Sequence, residues 1–324
     1  MKTALACTVL VCFALSLFAA QKHDTKVDSM VYETGAEWRI YSTDAAVKSF
    51  CVQKDLLWFV TEKGVGWMNL VSAKKTDQPT FFADIAGVPG SDATCCAIDA
   101  SNVVWVGTKS GLAMRTKDAF KLFTKDNGLS DNVVNKILAV RGAGLWIATD
   151  NGVTQYQNGT WKVFTSKDGL AGDNVRDIAA GAQGVLWFST NKGISCYEAG
   201  KWTSYTMKNG LSWNDTKVLA VDPKSNTLWA AVGEKDVNRF DGKEWKVFMD
   251  VADGATALMA DTHSRIWLAY SGGLMKFNGD EWVSDPQKVG ITAAQVSQMF
   301  RDDKGNLWFG MEKGVLKLNN PYPY

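Results

Sequence analysis

The sequence predicts an all-β protein: a seven-bladed β-propeller of four-stranded antiparallel blades, closed by its own N-terminal strand. Three observations predict it. A stretch written "GLWIATDNGV" at 144–153 returns as "LWFSTNKGI" at 186 and "LWFGMEKGV" at 307. Its tryptophan recurs at Trp58, Trp105, Trp146, Trp187, Trp229, Trp267 and Trp308, at spacings of 47, 41, 41, 42, 38 and 41 residues. A fixed period of this length is the mark of a repeat architecture, and about 40 residues of short strands suits a propeller blade. Finally, the last copy lacks a fourth strand, while an unpartnered one, "EWRIY" at 37–41, stands near the start.

The fourth copy shows the elements in order. Val175 to Ala180 reads as an inner strand, followed by the turn "GAQG". Leu186 to Thr190 is the second strand, apolar nearly throughout, as expected of a strand covered on both faces. The turn "NKG" has a glycine to supply positive φ. Ile194 to Tyr197 follows as the third strand and Trp202 to Tyr205 as the fourth. The fourth-strand pattern repeats at Trp161, Trp245 and Trp282, with Phe120 and Phe81 as weaker forms. After "VLKLNN" at 315–320 no such pattern remains, so Trp38 to Tyr41 is expected to complete the blade begun by Val296. Burial of Trp38 there would contribute about 1.5–3 kcal/mol, and two sheet edges would disappear. The second-strand tryptophans are read as wedges between blades rather than as ligand contacts.

The chain divides into a signal peptide (1–20), a linker (21–35) and the propeller (36–320). Lys2, an apolar run from Ala4 to Phe18, and Ala19–Ala20 before the polar "QKHDTK" form a secretory signal pattern. The alternative is an uncleaved anchor helix, for which the run is short. Once the signal is cleaved, no stable membrane span is expected, and the protein is placed in the periplasm or secreted. A net charge of +1 argues against a broad nucleic-acid footprint. Cys51, Cys95, Cys96 and Cys196 follow the signal and lack zinc-site spacing. Cys51 and either Cys95 or Cys96 lie in corresponding strands of adjacent copies; buried free thiols are favoured over one bridge. No cofactor is expected.

The motif is more specific than a generic propeller. "DNGLSDNVV" at 126, "KDGLAGDNV" at 167 and "KNGLSWNDT" at 208 each precede an inner strand, and "DDKGNLWFGMEKGVLKL" at 302–318 completes the pattern. This resembles the two-component regulator propeller repeat found in exported sensor regions of bacterial hybrid histidine kinases. The resemblance covers about 36–320 and is strongest in blades three, four and seven. It implies sensing of an extracellular ligand, often a carbohydrate fragment. The kinase part of that family has no counterpart in this sequence.

Topology predicts which loops cooperate. The turn between strands two and three shares a face with the link from strand four to the next blade. Loops on a rigid scaffold are where binding residues concentrate. That face carries Lys192 and other lysines amid acidic neighbours. Asn132, Asn174 and Asn214 stand at the start of three successive inner strands, where the alternative role is a turn hydrogen bond. Trp213 is aligned with Asp131 and Asp173 of the preceding copies, so the repeat does not demand an aromatic there. Its ring and N–H suit stacking on a sugar or peptide; folding onto its own blade is the alternative. Asp173 completes the candidate ligand set.

Catalysis has little to build on. After the signal there are only His23, in the linker, and His263, in a turn on the opposite face. Propeller lyases that inactivate cyclic peptide antibiotics use a histidine-bearing site with no counterpart here. Asp131, Asp173 and Asp215 remain as carboxylates for acid–base work. The leading expectation is a non-enzymatic propeller that binds a small ligand such as an oligosaccharide, or an envelope protein or receptor. A scaffold for envelope assembly and a carboxylate-dependent lyase or hydrolase are the alternatives.

Overall fold

A computed structural model of the chain describes residues 27–319 apart from 32–36, 71–79, 285–295 and positions 44, 83, 86, 118, 252 and 303. The expected signal peptide lies outside the described residues. Seven antiparallel blades form a ring. Blade 4 runs Val175–Ala180, Leu186–Thr190, Gly193–Glu198 and Lys201–Tyr205 from the inside outward, within one residue of the strands read from the sequence.

The second strands are the most deeply buried, as their unbroken apolar character requires. Leu186 to Thr190 and Leu228 to Val232 are buried at every position. The seven repeat tryptophans are 1–6% exposed. The core is accordingly not one mass but a set of wedges between neighbours. Trp187 of blade 4 packs with Leu228 and Phe240 of blade 5, and Trp105 of blade 2 with Leu145 and Ile147 of blade 3. Aromatic rings continue the contact outward: Trp146 meets Tyr197 at 5.1 Å and Trp229 meets Phe277 at 4.9 Å, tilted pairs of the kind aromatic quadrupoles favour.

Closure occurs where the sequence places it. Glu37–Ser42 pairs with Gly314–Leu318 in the register Trp38↔Leu318 to Ser42↔Gly314, which completes the blade begun at Val296. Tyr41, 2% exposed, stacks on Trp308 at 5.9 Å. Trp308 also packs with Phe50, Leu57 and Phe59 of blade 1, so the last wedge joins the first.

Two elements depart from the simple repeat. Within the stretch expected to be a linker, Val27–Val31 forms a fifth strand on the outer edge of blade 7, pairing Val27↔Tyr41 to Val31↔Glu37. Between blades 1 and 2, Asp84–Ile85 pairs with Val88–Pro89 and a 3-10 turn spans Gly90–Asp92. That insertion lies within the one spacing of 47.

A third feature sits at the start of the inner strands. In blade 4, Val175 pairs with Thr190 and Asp177 with Ser189, leaving Arg176 as the extra residue of a β-bulge. The same shift occurs at Lys48, Thr94, Asn135, Lys217 and Ser297. Bulges re-aim side chains and recur beside functional sites.

Candidate functional site

The loop face assembles as the topology requires. The turn of blade 3 meets the link into blade 4 through Gly152 N–H to Asp173 O (2.6 Å), and the blade 4 turn meets the same link through Asn191 N–H to Asn174 O (3.2 Å). Gly233 N–H binds Asp215 O (2.7 Å) in blade 5. Each "T-x-x-G" turn is locked by its threonine. Thr190 Oγ1 donates to Gly193 O (2.8 Å) and accepts the Lys192 N–H (3.1 Å). Gly193 has φ +140°, and a Cβ there would lie 2.3 Å from Tyr205 O, so no other residue fits. Blade 5 departs: three residues separate the paired Val232 and Asp236, and Glu234 O and Lys235 O accept N–H groups of Gly254 and Val251 in the next link. Its extra residue thus belongs to a stitch between blades.

The candidate ligand residues divide by what they already hold. Asn132 Oδ1 accepts the Lys125 N–H (2.9 Å), Asp173 Oδ1 the Ser166 N–H (2.6 Å) and Asn214 Oδ1 the Met207 N–H (2.8 Å), each seven residues back. These three are the equivalent positions and fasten the loop. The structural repeat therefore corrects the sequence alignment: Asn174 corresponds to Val133 and Asp215, and Trp213 to Asp131 and Gly172. A one-residue offset between the "SDN" and "GDN" loops hid this. Asn174 is committed differently, donating to Asp150 Oδ1 (2.9 Å) and accepting from Arg176 Nε (3.3 Å). Lys192 is exposed, with its Cβ beside Gly172.

Trp213 folds over its own blade yet stays open. Its ring lies against Gly233, where an added Cβ would meet it at 2.7 Å, and 54% of the residue is exposed. Met207, in the same loop, is also exposed. His263 sits in the turn joining the first two strands of blade 6, on the opposite face.

Sequence reasoning missed the channel inside the ring, a cavity of about 560 Å³ lined by the inner strands. Five of the bulge side chains, and Thr256 at the start of blade 6, clasp its mouth by donating to a carbonyl of the next blade. Thr94 Oγ1 reaches Val134 O (2.6 Å), Asn135 Nδ2 reaches Val175 O (2.8 Å) and Arg176 Nη1 reaches Thr216 O (3.4 Å). Lys48 Nζ reaches Ala93 O (3.5 Å), Thr256 Oγ1 reaches Val296 O (2.6 Å), and Ser297 Oγ closes the circle on Val47 O. One step deeper, the side-chain acceptors face backbone donors. Ser49 Oγ accepts the Cys96 N–H (3.2 Å), Asp177 Oδ2 the Leu219 N–H (2.9 Å) and Gln298 Oε1 the Phe50 N–H (2.9 Å).

Two ion pairs lie at this level. Lys136 Nζ is 3.3 Å from Asp177 Oδ1, and Arg176 Nη1 is 2.8 Å from Asp215 Oδ1. Asp177 holds the Lys136 amine above the ordinary lysine value, outweighing burial, which acts the other way. Cys51, Cys95, Cys96 and Cys196 are free thiols. Burial pushes Cys95 up to about 12 and Cys196 to about 11, and Cys51 well above the usual thiol range. A signal for the channel was present in the sequence: the second residue of the inner strands is the polar Lys48, Thr94, Asn135, Arg176, Lys217 or Ser297, in four cases followed by a further polar residue.

Residues 169–192 match the model of the two component regulator propeller. These residues, in blade 4 and the link before it, carry a copy of the two-component regulator propeller repeat. No curated protein matches the chain by sequence. Among solved structures, this chain is similar to the extracellular domain of the hybrid two component system BT3049 from B. thetaiotaomicron, at 16% identity and a TM-score of 0.68. The match covers 91% of this chain and 45% of that one, so this propeller spans under half the length of that structure. Virginiamycin B lyase from Staphylococcus aureus is similar at 17% identity and a TM-score of 0.68, over 91% of this chain and 99% of that one. YCF48 bound to D1 peptide matches at 14% identity and a TM-score of 0.65, over 90% and 99%. At these identities the shared property is the propeller fold, which serves sensor domains and a lyase alike. Among the described residues, no helix is long and apolar enough to cross a membrane.

Proposed function

We propose that this regulator propeller is an exported, non-enzymatic binding module that takes up a small ligand, such as an oligosaccharide, on the face that carries Trp213. The observation that carries this reading is Trp213 itself. The repeat tryptophans are buried, whereas this one is 54% exposed and stands where the other copies have Asp131 and Gly172. The repeat gains nothing from an aromatic at that point. Its ring rests on Gly233, which fixes one face and offers the other. Asp173 and Asn174 lie on the preceding link, Lys192 in the blade 4 turn, Asn132 in the equivalent loop one blade earlier and Asn214 beside Trp213, and their remaining polar atoms would orient the ligand. The regulator repeat and the extracellular sensor domains of the same fold support a sensing role, in the periplasm or outside the cell.

The test is a thermal-shift screen of neutral and acidic oligosaccharides and of short peptides against the mature protein. A ligand that binds only the native state raises the melting temperature, and the shift keeps growing with the logarithm of ligand concentration above Kd. Trp213→Ala is expected to leave the unliganded melting temperature within about 2 °C, as surface changes do, and to remove the ligand's shift. An unchanged shift in that variant would exclude this face. Chemical turnover of a ligand, lost on substitution of Asp131, Asp173 or Asp215, would move the protein among the lyases.

A further inference from the structure

The lining of the channel mouth holds more basic than acidic side chains. The ionisable side chains lining the cavity are Lys48, Lys136, Arg176 and Asp177, apart from thiols. That is three cations against one anion in the lining itself, with Asp215 pairing Arg176 and Asp150 accepting from Asn135 and Asn174 at the rim. Burial keeps the thiols of Cys51 and Cys95 neutral, so they add no charge. Asp215 lies outside the cavity lining, with a half-exposed side chain, and steadies Arg176 from the solvent side. Blades 1 and 4 stand on opposite sides of a seven-membered ring, so Lys48 and Arg176 approach the axis from opposing walls.

The bulge tier contains no acid. The acceptors beneath it, on Ser49, Asp177 and Gln298, are already occupied by backbone N–H groups of the next blade. Donor capacity remains. Arg176 uses Nε on Asn174 and Nη1 on Thr216 and Asp215, while its Nη2 has no partner among the described residues. A planar guanidinium edge held by three neighbours is a preorganised receptor for a carboxylate.

We propose that the channel mouth binds a small organic carboxylate, received by the free Nη2 edge of Arg176 with Lys48 facing it across the ring. This rests on the reading of the same face given above and names the chemistry of its ligand. Asp215, the ion-pair partner of Arg176, is two residues from Trp213 in one loop, so the ring of a sugar acid would lie toward the aromatic and its carboxylate toward the channel. The size of the cavity is in the range of small-ligand sites.

Calorimetric titration with galacturonate, digalacturonate, their neutral counterparts galactose and digalactose, and lactate as an acid without a ring tests the proposal. The acidic sugars are expected to bind at least about 10-fold more tightly than the neutral ones, and to weaken as salt is raised. Arg176→Gln is expected to remove that preference while leaving the neutral sugars unchanged, and Arg176→Lys to restore part of it. Because Arg176 also clasps blade 5, Lys48→Gln provides a second test, with a smaller loss of the same preference. Lactate binding on a par with galacturonate would place recognition in the carboxylate alone; weaker lactate binding would add the sugar ring. Equal affinity for acidic and neutral sugars, lost together in Trp213→Ala, would overturn the carboxylate assignment and leave the face reading standing. Absence of binding by every carboxylate up to about 10 mM, or acid binding unaffected by both variants, would also overturn it.

Discussion

Blade 4 is cut from one continuous stretch, Val175 to Tyr205, whereas blade 7 takes three strands from the end of the described chain and its fourth from residues 37–42. The two wedges otherwise match. Each has a buried tryptophan on the second strand, a bulge at the start of the inner strand, and a side chain in the channel that bonds the next blade. In blade 4 chain connectivity holds the outer strand in place. In blade 7 five backbone register pairs, the Tyr41–Trp308 stack and the outermost strand Val27–Val31 do so. A ring in which the blades are alike in side-chain packing but differ in connectivity is expected to fail first at the seam.

The largest test removes residues 36–42. This deletes the outer strand of blade 7 and exposes two sheet edges, one on Gly314–Leu318 and one on Val27–Val31. Cooperative thermal unfolding is expected to disappear, or its midpoint to fall by more than any single substitution achieves. A shortened protein that melted with the full one would mean that the seam bears no load.

A finer test compares Trp308→Ala with Trp187→Ala. Each leaves a large void, at a cost of about 3–5 kcal/mol. Trp187 packs between blades that the chain joins directly, while Trp308 packs against Tyr41 and blade 1, which are held to the rest of blade 7 by non-covalent contacts alone, the pairing of Glu37–Ser42 with Gly314–Leu318 among them. Denaturant titration is therefore expected to show the larger loss for Trp308→Ala. Equal losses would show the seam to be as firm as an interior wedge.

Much of this comparison was legible in the sequence. The tryptophan period, the glycine turns and the orphan "EWRIY" carry the blade count and the closure because each repeats a backbone requirement forty residues apart. What the repeat does not constrain stayed hidden. In blades 2, 6 and 7 an aspartate six residues before the tryptophan caps its turn and accepts the indole N–H, as Asp302 does from Trp308 Nε1 at 2.9 Å. Blades 3 and 4 replace that turn with glycine-rich ones, and the Trp146 N–H has no partner among the described residues. A pattern present in only some copies is hard to separate from drift. The fifth strand, Val27–Val31, has no second copy to announce it. The loop residues share the face that the topology predicts, but matching letters groups Asn174 with Asn132 and Asn214, whereas the loop's path makes Asp173 their equivalent. Which oxygen accepts which backbone N–H is settled by the path of the loop, and Asp173 follows that path. The channel tier was missed for a related reason: a bulge changes which way a side chain points without changing the strand's apparent alternation.

The smallest expected difference between the two blades is in pH dependence. Blade 4 reaches its neighbours through Asp177, which accepts the Leu219 N–H and pairs with Lys136. Blade 7 uses a neutral group, Gln298, whose Oε1 accepts the Phe50 N–H and whose Nε2 donates to Phe50 O. Asp177 raises the Lys136 amine above its ordinary value, so the folded state binds that proton more tightly than the unfolded chain. The stabilisation is therefore complete below the unfolded lysine value of about 10.4 and is lost as pH rises through the higher folded value. Lys136 is 35% exposed, so solvent screening keeps the effect small. Melting curves between about pH 9 and 12 are expected to show Lys136→Met losing less stability than the parent over the alkaline limb. Gln298→Met is expected to lower stability by the same amount at every pH. If Lys136→Met reproduced the parent's alkaline decline, another group would be responsible and the ionic clasp of blade 4 would be equivalent to the neutral one of blade 7.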